Sequence, residues 1–147
     1  MILLREATEA DLSYIINLHE NTIGSAWSRC DYLEAIEAAN KRLYVVLVES
    51  ELGGYVLLSV LAPETDIINI SIDSGKQSKG IGRRVLELVK EILYSEKVTE
   101  MFLEVRQNSR AVNFYEKNGF KVTGSRKSYY PDGENALLMK CSIGNNE

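Results

Sequence analysis

A single histidine, His19, and two widely separated cysteines, Cys30 and Cys141, leave nothing from which a His/Cys metal cluster or a disulfide framework could be built. The cysteines read as ordinary thiols of a reducing cytoplasm. Positive charge is not in excess either. The net charge of −4 excludes a general nucleic-acid or membrane-surface binder, both of which need a basic face. No apolar run approaches the roughly 20 residues of a membrane span. The opening Met1-Ile2-Leu3-Leu4 is cut short by Arg5, Glu6 and Glu9, so no secretory leader is expected. The chain has only two prolines, Pro63 and Pro131, and no low-complexity tract, repeat or Pro/Ser-rich linker. Residues 1–147 therefore read as one domain. With 45% hydrophobic residues it can bury a real core.

Local patterns give the order of elements. A short strand at 2–4 precedes Thr8-Glu9-Ala10-Asp11, a capping box with Asp in the Glu role, which opens a helix burying Leu12, Ile15 and Ile16. Ser28-Arg29-Cys30-Asp31 repeats the signal for a second helix reaching about residue 39. Segments 43–48 and 55–61 read as strands joined by a turn at Gly53-Gly54, and 66–72 as another strand. From 80 to about 94 the apolar positions Ile81, Val85, Leu88, Val89 and Ile92 fall at helical spacing. A strand at 100–105 and a short helix at 109–117, stopped by Asn118-Gly119, follow. Strands at 120–130 and 134–142 close the chain around Pro131-Asp132-Gly133. The strand–helix–strand succession implies a right-handed parallel βαβ unit flanked by antiparallel hairpins. The class is α+β, a mixed three-layer domain with a mostly antiparallel sheet.

The chemistry starts at Gln77-Ser78-Lys79-Gly80-Ile81-Gly82, between a strand and a helix start. A helix N-terminus presents unpaired N–H groups and partial positive charge, and glycines let backbone close around an anion. Lys76, Lys79, Arg83 and Arg84 surround the loop, with no acid from 74 to 86. An ordinary glycine loop with a solvated charged face is the competing reading. A dinucleotide fingerprint is excluded because Val85 stands where the third glycine belongs, and no Gly-Lys-Ser/Thr makes a P-loop.

The pattern that fits is Q/R-x-x-G-x-G/A, and here the sequence resembles the GNAT superfamily of acetyltransferases. Asn108-x-x-Ala111-x-x-x-Tyr115, continuing through Glu116-Lys117-Asn118-Gly119-Phe120, is similar to that family's second signature, in the same order. Leu103-Glu104-Val105-Arg106, Asn69-Ile70-Ser71-Ile72, Trp27-Ser28 and Tyr129-Tyr130-Pro131-Asp132-Gly133-Glu134 narrow the likeness to RimI-type N-terminal (ribosomal-protein-alanine-like) acetyltransferases and their archaeal relatives. Three departures are visible. Ala26 stands for a usual proline, Asp73-Ser74-Gly75-Lys76 for Asp-Pro-x-Tyr, and three residues separate Glu104 from Asn108 where the family has four.

The resemblance implies a GNAT-like fold and acetyl-CoA as cofactor, with CoA as product. It implies that Ile70, Ser71 and Ile72 bind the acetyl and pantetheine part. Gln77, Ser78, Lys79, Gly80, Ile81, Gly82 and Arg83 would hold the pyrophosphate, and Asn108 a nearby cofactor group. Trp27, Tyr129 and Tyr130 would line a peptide groove, although paired tyrosines are also common as plain sheet aromatics. Glu104 would be the base, on the Phe102 face of its strand, with desolvation raising its pKa. Its competing reading is a rim carboxylate paired with Arg106 or Lys121. Tyr115 would be the acid for the leaving thiolate, or else a core tyrosine beside Phe114. The acceptor is expected to be a protein N-terminus, in a monomer or weak dimer. A small-molecule amine acceptor and a non-catalytic acetyl-CoA-binding module remain open.

Overall fold

Alternation and capping place the first elements. In the computed structural model, which describes residues 1–22, 28–76 and 80–144, strand β1 is Ile2–Glu6 and leads to the Thr8–Asp11 box. The Thr8 N–H donates to Asp11 Oδ2 at 2.8 Å. Both Arg5 terminal nitrogens grip the same carboxylate at 3.0 Å. Asp11 is buried, and the Arg5 guanidinium holds it below the usual carboxylate range. Helix α1 (Leu12–Thr22) follows, burying Leu12, Ile15 and Leu18, with Ile16 partly covered at its flank. The Ser28 box also forms, its N–H 2.7 Å from Asp31 Oδ2, and opens α2 (Arg29–Glu37).

The first hairpin corrects the expected turn. Strands β2 (Lys41–Val48) and β3 (Glu51–Leu61) are joined by Glu49 and Ser50, with φ 49° and 70°, flanked by the Val48–Glu51 pair. This is the two-residue turn whose twist suits a hairpin, made without glycine. Gly53 and Gly54 lie inside β3 instead. The register runs Val46–Gly54 and then Leu47–Leu52, so Gly53 is the extra residue of a bulge. At Gly54 a Cβ would stand 2.4 Å from the Ser71 carbonyl oxygen, so glycine is needed for the close approach of the next strand.

Strand β4 (Glu64–Ile72), helix α3 (Ile81–Ser95) and strand β5 (Glu100–Arg106) make the parallel βαβ unit. Helix α3 buries Ile81, Val85, Leu86, Val89 and Leu93, one row over from the expected Leu88 and Ile92, which are half-buried. Helix α4 (Ala111–Lys117) ends as expected, the Phe120 N–H reaching back to the Tyr115 carbonyl at 3.0 Å. Strands β6 (Lys121–Arg126) and β7 (Ala136–Ser142) finish the chain. The sheet has seven strands, hydrogen-bonded in the order β1-β2-β3-β4-β5-β7-β6, antiparallel in the registers of β1 with β2, β2 with β3, β5 with β7 and β6 with β7. β7 therefore sits between β5 and β6. No described helix is long and apolar enough to cross a membrane.

Two compact units contain these elements: Met1–Val60 with Ile67–Val89, and Leu61–Asp66 with Lys90–Glu147. In the first, α1 and α2 bury Leu12, Ile15, Leu18, Tyr32 and Ala35 against Leu43, Val45, Tyr55 and Leu57. His19 lies in this unit's interior, 1% exposed. Its Nδ1 is 2.7 Å from the Tyr32 hydroxyl and 2.9 Å from that of Tyr55, and the two hydroxyls are 3.1 Å apart.

Replacing Asp11 by alanine removes a cap and the Arg5 partner together, and is expected to cost about 2 kcal/mol, read from urea midpoints. Because the folded-state pKa of Asp11 is depressed, its contribution is present above roughly pH 4 and fades as pH falls through the folded value. The gap between wild type and Asp11→Asn should narrow over the same range.

Candidate functional site

In the first unit, the candidate cofactor residues stand on β4 and at the start of α3. Ser71 is buried, and Ile70 and Ile72 are half-buried. All three lie beyond the three pairs that join β4 to β5, Glu64–Glu100, Thr65–Met101 and Asp66–Phe102. Asp73 fixes the exit of the strand. Its N–H donates to the Gly53 carbonyl at 2.8 Å, and its Oδ1 accepts from Gly75 N–H at 3.2 Å. The Tyr14 hydroxyl is 3.4 Å from Asp73 Oδ2, and burial together with that negative charge pushes it up to about 12.

Gly80 has φ +74°, and the Arg84 N–H bonds its carbonyl at 3.0 Å, the first turn of α3. The N–H groups of Ile81, Gly82 and Arg83 come before that bond and have no carbonyl within the helix to take them. Among the described residues, a Cβ on Gly80 would meet nothing within 4 Å. The cations are less isolated than the sequence suggests. Arg83 Nε and Arg84 Nη1 each donate to Glu87, one turn on, at 3.2 Å. Such exposed pairs are worth about 0–1 kcal/mol, so a phosphate could compete for both arginines. Gln77, Ser78, Lys79 and Trp27 lie outside the described residues.

In the second unit, β5 alternates. Met101, Leu103 and Val105 are buried, which turns Phe102, Glu104 and Arg106 to the opposite face. Glu104 is therefore on the face expected, but it is not desolvated: its side chain is 34% exposed and pairs with Arg126, whose Nε donates to Oε2 at 2.8 Å. The partner is neither Arg106 nor Lys121. Arg106 is occupied by Asp132 at 2.8 Å and Glu134 at 3.1 Å, while Lys121 sits in the cross-strand row of Lys140 and Phe102.

Tyr129 and Tyr130 stand in the loop after β6, not in a strand. Their rings meet edge to face at 5.1 Å. Interaction with the Glu104 carboxylate raises the Tyr129 hydroxyl from its ordinary value. The Arg106 guanidinium lies 4.2 Å over the Tyr130 ring. Glu134, besides holding Arg106, accepts the Asn108 N–H at 2.9 Å, and Asn135 bridges Ser128 N–H and Gln107 Oε1 at 2.8 and 3.0 Å. One network thus ties the tyrosine loop to the turn carrying Asn108.

Tyr115 is buried on α4 between Phe114 and Phe120, ring centroids 5.3 and 5.4 Å away. Burial pushes its hydroxyl up to about 12. Sequence reasoning missed two groups. Arg126 is 22 residues from Glu104. Asp66, paired in register with Phe102, is a second acid near Glu104, and its pKa is raised by burial and then by the charges of Glu64 and Glu104. The pairing of strand 66–72 with 100–105 was the signal that could have found it.

The profile of the Acetyltransferase (GNAT) family matches residues 12–120. An N-alpha-acetyltransferase of Sulfurisphaera tokodaii is 28% identical over 157 aligned positions, covering 95% of this chain and 92% of that protein. The crystal structure of the ribosomal-protein-S18-alanine N-acetyltransferase from Escherichia coli superposes with a TM-score of 0.86 at 25% identity, over 100% of this chain and 97% of the other. A PaiA N-acetyltransferase from Thermoplasma acidophilum, in complex with coenzyme A, shares the fold with a TM-score of 0.79 at 21% identity, over 97% and 99% of the two chains.

Gly54→Ala would press a methyl group into the Ser71 backbone and should destabilise the protein by about 1–3 kcal/mol. Gly75→Ala, where the nearest atom is 3.8 Å away, is the control and should change the urea midpoint little.

Proposed function

Because the chain belongs to the Acetyltransferase (GNAT) family and is an N-acetyltransferase, we propose that it acetylates the N-terminal α-amine of a protein, such as a ribosomal protein, from acetyl-CoA. Residues 1–147 act in this reading as one catalytic domain. The observation that carries it is Glu104, presented on the open face of β5 with Tyr129 against its carboxylate. The helix start at Gly80, with its positive φ and forward N–H groups, suits a pyrophosphate. Acetyl-CoA supplies an acetyl thioester.

Glu104 takes the proton that the amine loses as its nitrogen attacks the thioester carbonyl, directly or through one water. The C–S bond then breaks, and Tyr115 donates its O–H to the leaving thiolate. The backbone of Ile70, Ser71 and Ile72 lies along the acetyl and pantetheine part, with Asn108 at a neighbouring cofactor group. Gln77, Ser78, Lys79, Gly80, Ile81, Gly82 and Arg83 hold the pyrophosphate. Trp27, Tyr129 and Tyr130 wall the acceptor groove.

The choice of an α-amine follows from proton cost. An α-amine titrates near ~7.7–8.0 and lysine near ~10.4, so a lysine costs about 3–4 kcal/mol more to deprotonate. One half-exposed carboxylate is enough for the first task and weak for the second.

Glu104→Gln should lower kcat by about 10²–10⁴-fold with acetyl-CoA affinity preserved, and Tyr115→Phe should lower kcat in a folded enzyme. Gly80→Glu should abolish acetyl-CoA binding in calorimetry, by placing negative charge at the helix start. The acceptor is tested with a peptide carrying a free N-terminus and one internal lysine, mapped by fragment mass. Acetyl on the lysine with an untouched N-terminus overturns the proposal.

A further inference from the structure

The sheet face that carries Glu104 is organised in cross-strand rows. Glu104 on β5 stands opposite Leu138 on β7, which stands opposite Gly124 on β6. The next row is Arg106, Ala136 and Arg126. To reach Glu104, the Arg126 side chain must lean back one row and cross the whole width of β7. On β7 the small Ala136 stands in its own row, next to Leu138 in the row of Glu104.

Among the described residues, the acid paired with Arg126 is Glu104, while the other charges on this face pair elsewhere. Asp132 and Glu134 pair with Arg106, and Lys140 pairs with Glu100 at 2.9 Å while lying over the Phe102 ring. Tyr129 closes the other side, its ring centroid 5.8 Å from the Arg126 guanidinium carbon. Tyr130 is held by Arg106. From β4 the acid Asp66 faces Glu104, and the two interact as like charges.

Taking Glu104 as the base, as proposed above, we infer that Arg126 is its positioning residue: the Nε–H bond to Oε2, reaching across β7, aims the carboxylate and sets a positive charge against it beside Asp66. A base with an acid for a neighbour tends to share a proton with it, and a shared proton blocks uptake from the amine. The guanidinium offsets the second negative charge. It is also planar and permanently charged, and donates along a fixed direction, so it sets orientation as well as charge. Arg126 touches neither acetyl group nor amine in this account and acts only through Glu104.

The test compares pH profiles of kcat/KM for wild type, Arg126→Gln, Arg126→Lys and Glu104→Gln, with an N-terminal peptide as acceptor. Melting curves first establish that each variant is folded. Arg126→Gln should move the acid limb to higher pH by roughly 0.5–1 unit, since loss of the cation favours the protonated pair, so activity below the limb falls about three- to tenfold. The KM for acetyl-CoA should stay within about twofold of wild type. Arg126→Lys should bring the limb most of the way back, because the charge returns, with kcat still lowered because the directed Nε–H does not. An acid limb unmoved in Arg126→Gln, or an Arg126→Lys limb identical to that of Arg126→Gln, overturns the role of Arg126. Wild-type kcat in Glu104→Gln overturns the base itself, and the Arg126 role with it.

Discussion

The period of two along β5 is the constraint from which the second unit's chemistry follows. Met101, Leu103 and Val105 are at most 9% exposed. Burying each side chain contributes roughly 1.5–3 kcal/mol, and the seven pairs with β7 lock the same register. A slip of one residue would bring Phe102, Glu104 and Arg106 inside and leave two charges to desolvate. The register that stabilises the unit is thus the register that presents Glu104. β7 contributes in a second way. By lying between β5 and β6 it sets the distance that Arg126 must span.

The first unit solves a different problem, since its core is not purely apolar. His19, Tyr32 and Tyr55 are each at most 1% exposed, and three polar groups in such a place would be costly if left unpaired. They face one another within 3.1 Å and draw α1, α2 and β3 to one point. Burial raises the Tyr55 hydroxyl well above its ordinary value, so it remains a hydroxyl donor and not an anion. Leucines could fill the same volume but would not fix the relative rotation of two helices and a strand so closely. On this base rest Gly54 and the exit of β4 at Asp73, which set the line of Ile70, Ser71 and Ile72.

What was legible in the sequence was local. The two capping boxes are short-range hydrogen-bond patterns, and both formed at Thr8–Asp11 and Ser28–Asp31. The alternation of β5 and the period of α3 are equally local. The hairpin turn was misread because glycines attract a turn assignment, whereas here they serve a bulge and a close strand approach, and Glu49-Ser50 took the positive φ values. The site's charge pairing was out of reach for a related reason. Glu104–Arg126 joins two strands and is fixed only once β7 is inserted between β5 and β6, Arg106–Glu134 joins a strand to the loop before β7, and Asp66 meets Glu104 only through the pairing of β4 with β5. Spacing along a chain gives neighbours at two, three and four residues. It does not give strand order.

In the proposed reaction, the burial of Tyr115 bears on how the leaving group is handled. With its hydroxyl pushed up to about 12, it is a weaker acid than an alkyl thiol of about 8.5, the value for cysteine. Complete transfer of its proton to a thiolate would then run uphill. Donating a hydrogen bond as negative charge gathers on sulfur carries no such cost, and burial between Phe114 and Phe120 strengthens it by keeping water out. In the proposed reaction Tyr115 therefore acts first as a fixed hydrogen-bond donor to the thiolate and gives up its proton last. The same burial keeps it protonated throughout the range in which α-amines become neutral. In the proposed reaction the acid side and the base side are thus set independently: one by the aromatic rings around Tyr115, the other by a counter-ion reaching across β7.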